Sequence, residues 1–334
     1  MAGDVRSHCA VVGIDGGNSK TDLLLVAANG TPLARCQGPS SSPHLVGLRS
    51  AIAVIESLLR DALSDAAISI DDPLLIATCL AGLDLPEEVE EARMALTAMA
   101  PHAQHVVAND TFAVLRAGLA SGTHGVAVVC GAGINAVGVG PAGVARFLAL
   151  GGISGDWGGG FGVGEAALGA AVRWEEGRGP ATSLAAGIAE WLGVDAAADV
   201  AIAVHRRTVD AARIAELAPI VVRHALLGDV VARQLVDRCA DEVAGFVDAA
   251  LRRSGLAGHH ADVVFGGSML VGSMGGNIGE QTGAVPLVGE LAAERIAQRH
   301  PTASIHRLTA PPVVGAVALG FDHLEVDPDR SRWP

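Results

Sequence analysis

Three glycine-rich turns in this chain each come directly after a short apolar segment. The turns are Asp15 to Thr21, Gly131 to Gly133, and Gly266 to Ser268. Apolar segments of this length are typical of buried β-strands, and glycine lets successive backbone N–H groups surround an anion. One such sequence is most simply an ordinary turn, but three of them at strand ends favour a set of phosphate-binding turns.

The segments between these turns predict a mixed α/β architecture in which a strand–turn–strand pattern occurs twice. Apolar runs predict strands at 10–14, 23–27, 74–80, 105–108, 126–130, 136–139 and 262–265, with a hairpin signal at Asn29-Gly30. Helical spacing is present at 48–62, 86–99, 165–175, 183–192, 209–226, 229–253 and 286–299, and a glycine-rich loop is predicted through Gly164. The repeated pattern predicts a boundary between two lobes near residue 120.

Two familiar nucleotide-binding motifs are disfavoured by the segments on the carboxyl side of the turns. Gly131 to Ala136 fits the spacing of a dinucleotide fingerprint, but that fingerprint requires a helix next, and residues 136–141 predict a strand and a turn. Gly13 to Thr21 contains a Lys-Thr pair, yet it lacks the spacing of a Walker A loop and precedes a predicted strand. The turns therefore indicate another kind of phosphate site.

Charge and cysteine content restrict the partners and the compartment. The 334 residues include 23 basic and 36 acidic side chains, a formal charge of −13, and the basic residues are scattered. This pattern argues against nucleic acid or a membrane as a partner and favours a small molecule. The five cysteines form no CxxC pair, which argues against a disulfide framework and structural zinc and predicts a cytoplasmic protein.

Three aspartates stand beside the turns or at predicted strand ends, where a carboxylate can reach a binding site. They are Asp15, Asp110 and Asp156. A carboxylate so placed can act as a general base toward an acceptor hydroxyl. The alternative role of Asp110 is a helix N-cap, because Thr111 begins a helical pattern, and Asp15 and Asp156 are equally compatible with turns. The spacing leaves both interpretations open.

Seven segments, taken in this order, resemble the BadF/BadG/BcrA/BcrD ATPase family. Within that family the chain is similar to the N-acetylglucosamine kinase-like branch of the actin–hexokinase superfamily. The segments are GIDGGNSKTDLLLV (13–26), LAGLDLPEE (80–88), ANDTFAVLRAG (108–118), VVCGAGINAVG (128–138), SGDWGGGFGVGEAAL (154–168), VVFGGSML (263–270) and PPVVGAVALG (311–320). The resemblance therefore extends over nearly the whole chain.

The resemblance implies an α/β fold with two ribonuclease H-like, actin-like ATPase lobes and a cleft between them. The N-terminal lobe is expected at 1–119, completed by a C-terminal helix within 311–330. The C-terminal lobe, with helical insertions, is expected at 120–310. Proteins of this kind bind ATP and Mg²⁺, and relatives often form homodimers, so both cofactors and a homodimer are expected here.

The resemblance also implies a role for each turn. The residues expected to bind the nucleotide are Gly16, Gly17, Asn18, Ser19 and Lys20 for the β- and γ-phosphates, Gly131, Ala132 and Gly133 for phosphate, and Gly266, Gly267 and Leu270 for adenosine. Asp15 is expected to orient Mg²⁺ through water. The residues expected at the amino sugar are Ser42, His44, Asn109, Asp110, Gly151, Gly152 and Asp156.

Asp110 matches the family's general base. The implied reaction is ATP-dependent phosphorylation of an amino sugar, with N-acetylglucosamine converted to its 6-phosphate. Positioning and charge neutralisation dominate phosphoryl transfer of this kind. The expected enzyme is therefore a sugar kinase.

Three positions depart from the family pattern. Trp157 stands where relatives commonly have Glu, Ala132-Gly133-Ile134 replaces a frequent Thr-Gly-Ser, and Ser42 occupies the place of a frequent Asn. A few loop side chains decide sugar specificity in such sites. The sequence therefore leaves open the choice among N-acetylglucosamine, glucosamine, N-acetylmannosamine and a muramyl sugar.

Two other functions remain compatible with the family pattern. The first is an ATPase activator of a 2-hydroxyacyl-CoA dehydratase or reductase, which would need cluster-binding cysteines near glycine turns, whereas only Cys130 is so placed. The second is a non-catalytic nucleotide-binding protein of the actin-like superfamily. Asp110 and the sugar-loop resemblance favour the kinase over both.

Overall fold

The computed structural model describes residues 10–70, 72, 74–119, 122–272 and 287–334. Two of the predictions fall partly or wholly outside the described residues: the lobe boundary near residue 120 and the first residue of the helix at 286–299. The residues before Ala10 also lie outside them. The chain divides into two compact units. Unit 1 extends to Thr123 and resumes over Leu308–Pro334, and unit 2 is His124–Arg307.

The described residues form two five-stranded sheets and a set of helices. In chain order the strands are β1 (Ala10–Gly16), β2 (Thr21–Val26), β3 (Pro32–Gly38), β4 (Leu74–Leu80), β5 (Gln104–Asn109), β6 (Gly125–Cys130), β7 (Ile134–Gly140), β8 (Gly143–Arg146), β9 (Ala261–Gly266) and β10 (Ala303–Arg307). The helices are α1 (Pro43–Val46), α2 (Leu48–Ala66), α3 (Pro86–Met99), α4 (Asp110–Gly118), α5 (Gly159–Glu175), α6 (Leu184–Leu192), α7 (Ala197–His205), α8 (Ala218–Leu226), α9 (Val230–Ser254), α10 (Ser268–Val271), α11 (Leu287–Arg299) and α12 (Pro312–Leu324). Gly151–Ile153 and Ala211–Leu217 form 3₁₀ segments.

The sheet of unit 1 has the order β3-β2-β1-β4-β5. β1, β2 and β3 are antiparallel neighbours, whereas β1, β4 and β5 run parallel. The register pairs Gly16 with Leu80, and Leu80 with Asn109. The carboxyl ends of the three parallel strands therefore meet at one edge of the sheet, which is where α/β proteins commonly bind ligands.

Helices cover both faces of this sheet, as expected for strands with apolar residues on both sides. Val12, Ile14 and their neighbours pack with α2 and α3, whereas Val11 packs with Val317 and Phe321 of α12. A Cβ atom at Gly13 would lie 2.5 Å from the Val317 side chain. Only glycine allows α12 this close to β1, so the C-terminal helix is an integral part of unit 1.

The sheet of unit 2 has the order β10-β9-β6-β7-β8 and repeats the plan of unit 1. β6, β7 and β8 are antiparallel, and β9 and β10 run parallel to β6. The long helix α9 lies on β7, where a Cβ atom at Gly140 would come within 2.4 Å of the Ser254 carbonyl oxygen. Two mixed sheets with covering helices confirm the predicted α/β class with two lobes.

Two local predictions in unit 2 are wrong. The glycine-rich loop predicted through Gly164 ends earlier, because α5 already begins at Gly159. The helix predicted at 209–226 is divided into a 3₁₀ segment and α8, with Pro219 in the first turn of α8. Proline lacks the N–H that a continuous helix would need at that position, and this explains the division.

No helix in the described part of the chain combines the length and the apolar character needed to cross a membrane.

Candidate active site

The first glycine-rich turn connects β1 and β2 in unit 1. Within the turn, the Gly17 N–H donates to the Lys20 carbonyl oxygen at 2.9 Å. The N–H groups of Asn18 and Ser19 have no backbone acceptor among the described residues, and both residues are exposed. N–H groups without a backbone acceptor in an exposed turn can receive a phosphate.

Ser40 and Ser41 form hydrogen bonds with residues of this turn. The Ser40 hydroxyl donates to the Gly17 carbonyl oxygen at 3.0 Å, and the Thr21 hydroxyl donates to the Ser41 hydroxyl at 2.8 Å. A Cβ atom at Gly16 would lie 2.3 Å from the Ser41 hydroxyl. Any side chain at Gly16 would therefore displace the segment that holds the turn.

Asp15 and Asp110 come together at the edge where β1, β4 and β5 end. Burial and the negative charges of Asp110 and Asp22 raise the pKa of Asp15 to about 8. Burial, with a further contribution from the charge of Asp84, raises the pKa of Asp110 to about 6. Burial, together with the charges of Asp15 and Asp110, also raises the pKa of the Cys79 thiol on β4. Their mutual effects indicate that these groups are close.

Asn109 caps the helix that carries Asp110. Its side-chain oxygen accepts from the Thr111 N–H at 3.0 Å and from the Thr111 hydroxyl at 2.6 Å. The N-cap role considered for Asp110 therefore belongs to Asn109, and Asp110 is the first residue of α4. Asn109 thus supplies the cap, and backbone hydrogen bonds from Thr111 and Asp110 to the Asp110 carboxylate lower its pKa against the effect of burial.

Ser42 and His44 lie in the same unit, at the start of α1. Ser42 is fully buried, and its hydroxyl has no hydrogen-bond partner in the described structure. Buried hydroxyls are nearly always paired, so this one is suited to a ligand. The His44 ring contacts Glu88, with Nε2 and Oε1 2.9 Å apart.

The second glycine-rich turn lies in unit 2, between β6 and β7. The first turn of α5 is hydrogen-bonded to it. The Gly160 N–H donates to the Gly131 carbonyl oxygen at 2.7 Å, and the Phe161 N–H donates to the Ala132 carbonyl oxygen at 2.9 Å. The N–H groups of Ala132 and Gly133 have no backbone acceptor among the described residues. The Gly131 N–H donates to the Gly133 carbonyl oxygen at 2.9 Å and closes the turn, so the amides of Ala132 and Gly133 are the ones left for an anion.

The third turn packs directly against the second. Gly267 has a φ of +85°, and a Cβ atom there would lie 2.4 Å from the Cys130 carbonyl oxygen. Gly266 ends β9 beside β6. Leu270 is fully buried among core side chains, so it supports this turn from the interior.

The last group of expected residues surrounds Asp156 in unit 2. Gly151 has a φ of +67°, and its carbonyl oxygen accepts from the Asp156 N–H at 2.9 Å. No described atom lies within 4 Å of a Cβ built at Gly151 or Gly152, so this loop is open. The Asp156 carboxylate accepts from the Ser154 hydroxyl. The carboxylate is therefore held in place beside an open loop.

The family model described as the BadF/BadG/BcrA/BcrD ATPase family matches residues 12–319. The chain belongs to the BadF/BadG/BcrA/BcrD ATPase family. The match includes every residue expected to bind phosphate, nucleotide or sugar.

Similar proteins of known name extend this family assignment. An N-acetyl-D-glucosamine kinase of Dictyostelium discoideum is 26% identical over 322 residues, which cover 93% of this chain and 97% of that protein. An N-acetylmuramic acid/N-acetylglucosamine kinase of Clostridium acetobutylicum is 26% identical over 70% of this chain and 76% of that protein. A Chromobacterium violaceum structure, provisionally named N-acetylglucosamine kinase, matches with a TM-score of 0.70 and 22% identity over 94% of this chain and 99% of that chain. At 22% identity, the similarity to the Chromobacterium violaceum structure supports the fold alone.

The site of this BadF/BadG/BcrA/BcrD family member also contains residues that sequence reasoning missed. Asp84 contacts Asn109, and Glu88 contacts His44. The Arg238 guanidinium lies over the Trp157 ring, 3.9 Å from its centre. The signal for Glu88 was available, because Pro86 at a helix start with Glu two residues later suits the first turn of a capped helix. Arg238 comes from α9, far along the chain, and no local pattern connects it to Trp157.

Within the described ranges, no group of three or more His, Cys, Asp or Glu side chains is arranged to hold a metal ion. Burial is the main cause of the raised pKa of Asp15, and the negative charges of Asp110 and Asp22 add to it. A hydrated divalent cation fits this setting because it would neutralise the charge without direct coordination by three side chains.

Proposed function

We propose that this protein is an ATP-dependent kinase that phosphorylates the 6-hydroxyl of an amino sugar, with N-acetylglucosamine as the foremost substrate. The observation that carries the proposal is the placement of Asp110. Its carboxylate lies at the carboxyl edge of the unit 1 sheet, has a pKa of about 6, and shares that edge with a glycine-rich turn. The Dictyostelium relative, named an N-acetyl-D-glucosamine kinase and aligned with 93% of this chain, supports the same substrate class.

Asp110 acts as the general base in this proposal. With a pKa of about 6, the carboxylate is ionised near pH 7 while remaining basic enough to accept a proton. It takes the proton of the 6-hydroxyl as the hydroxyl oxygen bonds to the γ-phosphorus of ATP and the bond to ADP breaks. Asn109 holds the first turn of α4, so the carboxylate stays in one position during the transfer.

The glycine-rich turns orient the phosphates. The free amides of Asn18 and Ser19 in unit 1, and those of Ala132 and Gly133 in unit 2, are the proposed donors. The exposed Lys20 pairs at 2.8 Å with Asp22, which is buried. Mg²⁺, when bound, would neutralise phosphate charge, and Asp15 would hold its water ligands. The proposal assigns Gly266 and Gly267 to the adenosine, with Leu270 as interior support.

The amino sugar is recognised by hydroxyl and carboxylate groups. The unpaired hydroxyl of Ser42 and the side chains of His44 and Asn109 are the proposed contacts in unit 1. Asp156, beside the open glycines at 151 and 152, is the proposed contact in unit 2. Buried polar groups discriminate strongly between sugars that can and cannot pair with them. A homodimer and a cytoplasmic location belong to the same proposal.

The direct test measures phosphate transfer from ATP to N-acetylglucosamine, glucosamine, N-acetylmannosamine and N-acetylmuramic acid, with the product position assigned by NMR. We expect 6-phosphorylation of N-acetylglucosamine and a loss of about 10²- to 10⁴-fold in kcat for Asp110→Asn. Asp61→Asn, an exposed change on α2, is the matched control and keeps full activity. Sugar-independent ATP hydrolysis by an iron-containing protein would overturn the proposal in favour of the dehydratase activator.

A further inference from the structure

Two acidic side chains, one in the connection from β4 to α3 and one in the first turn of α3, contact residues expected at the sugar. Asp84 and Glu88 belong to the segment LAGLDLPEE (80–88), to which no role was assigned. Glu88 contacts His44, and Asp84 accepts a hydrogen bond from Asn109. The charge of Asp84 also raises the pKa of Asp110. The connection therefore links three residues of the acceptor site through two that the proposed mechanism does not use.

Asp84 fixes the orientation of the Asn109 side chain. The Asn109 Nδ2 group donates to Asp84 Oδ1 at 3.0 Å, while Asn109 Oδ1 accepts from Thr111. Asn109 is only 2% exposed. An amide bound at both ends in a buried position cannot rotate without losing two sets of hydrogen bonds, so Asp84 determines how Asn109 is presented.

Glu88 fixes the backbone that carries Asp84. Glu88 Oε2 accepts from the N–H groups of Asp84 and Leu85 at 2.9 and 2.8 Å, and Oε1 contacts His44. The His44 ring lies over Gly82, where φ is +79° and a Cβ atom would come within 2.9 Å of the ring. The contacts thus form one continuous path from His44 through Glu88 and Asp84 to Asn109.

The charge of Asp84 also reaches Asp110. The groups that face Asp110 are Asp84 from this connection, Asp15 from β1 and Cys79 from β4. The Cys79 pKa is raised well above its ordinary value, so its thiol is neutral. Besides burial, the charge of Asp84 is what raises the pKa of the proposed base.

We propose that Asp84 is a positioning residue of the acceptor site, which holds the Asn109 amide in one orientation and places a negative charge beside Asp110. The inference rests on the proposed kinase function, because the acceptor site is defined by it. Two properties of Asp84 are separable. Asparagine at this position keeps an oxygen that can accept from Asn109 but has no charge, whereas alanine removes both.

The kinetic test compares Asp84→Asn and Asp84→Ala with the matched control Glu87→Gln, an exposed change on the adjoining helix. We expect Asp84→Ala to lower kcat by about 10- to 100-fold because the acceptor groups lose their alignment, with the KM for ATP within about twofold of the parent value. Asp84→Asn keeps most of kcat but moves the acidic limb of the pH profile to lower pH. An unchanged kcat in Asp84→Ala, or an unmoved limb in Asp84→Asn, overturns the inference.

A second readout does not depend on catalysis. The side-chain amide signal of Asn109 in the ¹⁵N-labelled protein, assigned by its loss in Asn109→Ser, reports the hydrogen bond directly. We expect proton exchange of this amide to accelerate about tenfold or more in Asp84→Ala and to change little in Asp84→Asn or Glu87→Gln. Accelerated exchange in a protein that phosphorylates no sugar would reject the kinase proposal but retain the contact. Unchanged exchange in an active kinase would reject the role of Asp84 alone.

Discussion

Arg116 donates hydrogen bonds from Nε and Nη2 to the two carboxylate oxygens of Asp322, at 2.5 and 2.9 Å. Arg116 lies on α4, the helix that begins with Asp110, and Asp322 lies on α12 near the end of the chain. Arg116 is 7% exposed, and the Asp322 side chain is 28% exposed, so the guanidinium is the buried partner of the pair. The helix that carries the proposed base is therefore held in place by the C-terminal segment of unit 1.

Replacing Arg116 with Met should destabilise unit 1. The change leaves the Asp322 carboxylate partly buried, with the more distant Arg330, at 3.9 Å, as its remaining basic partner among the described residues. Breaking such a pair is costly because one charge remains unpaired, and we expect a loss of about 2 to 3 kcal/mol in the free energy of unfolding. Urea denaturation followed by circular dichroism measures this loss. Arg60→Met, which breaks the exposed pair with Glu56 on α2, is the control and should have a small effect.

Replacing Gly267 with Ala should damage the paired turns of unit 2. The added methyl group would meet the Cys130 carbonyl oxygen at 2.4 Å, and the backbone has a φ of +85°. Gly258→Ala is a matched control, because its φ is +81° but nothing lies within 4 Å of the added atom. We expect about 1 kcal/mol of destabilisation from strain in the control and a larger loss, with weaker ATP binding, in Gly267→Ala. Equal thermal midpoints and ATP affinities for the two variants would contradict this prediction.

The strands that the apolar pattern did not predict lie at sheet edges. β8 and β10 are the outer strands of the unit 2 sheet, and β3, which the Asn29-Gly30 signal only implied, is an outer strand in unit 1. An edge strand is supported on one side only and can expose alternate residues, as β3 does. Its sequence therefore carries less of the hydrophobic pattern than central strands such as β4, which was predicted with its observed bounds.

The site was predictable where short sequence patterns determine the geometry, and less so where distant segments meet. Glycines beside strand ends predicted the turns, and the acidic residue after β5 predicted the position of Asp110. By contrast, Asn109 and Asp84 are 25 residues apart, and Arg116 and Asp322 are 206 apart. Such contacts depend on how strands and helices pack in three dimensions, and no local periodicity specifies them. The structure supplied the residues that support the site.

The activity of the proposed kinase should depend on the ionisation of Asp110. The base works only when deprotonated, so kcat/KM for the sugar at saturating ATP should rise as pH increases through about 6 and then level off. The measurement is a rate profile between pH 5 and 8. The Asp110→Asn variant should lose this limb together with most of its activity, whereas Asp61→Asn should retain both. A limb that persists unchanged in Asp110→Asn would assign the titration to another group.

The stability of the ligand-free protein should fall as pH rises, and Asp15 should be the main cause. The pKa of Asp15 is raised to about 8, so between about pH 4 and 8 the folded state binds a proton that the unfolded state has released. The free energy of unfolding therefore decreases with pH across this window. Asp110, with a pKa of about 6, adds to the decrease in its lower part.

Asp15→Asn removes the larger contribution and should flatten the dependence. The stability advantage of the variant should be about 3 to 4 kcal/mol larger at pH 8 than at pH 5, where Asp15 is still protonated in the folded parent. Urea denaturation at several pH values without nucleotide or Mg²⁺ measures the slope, with the exposed change Asp65→Asn as control. Parallel stability curves for Asp15→Asn and the parent would show that Asp15 is ionised throughout this range.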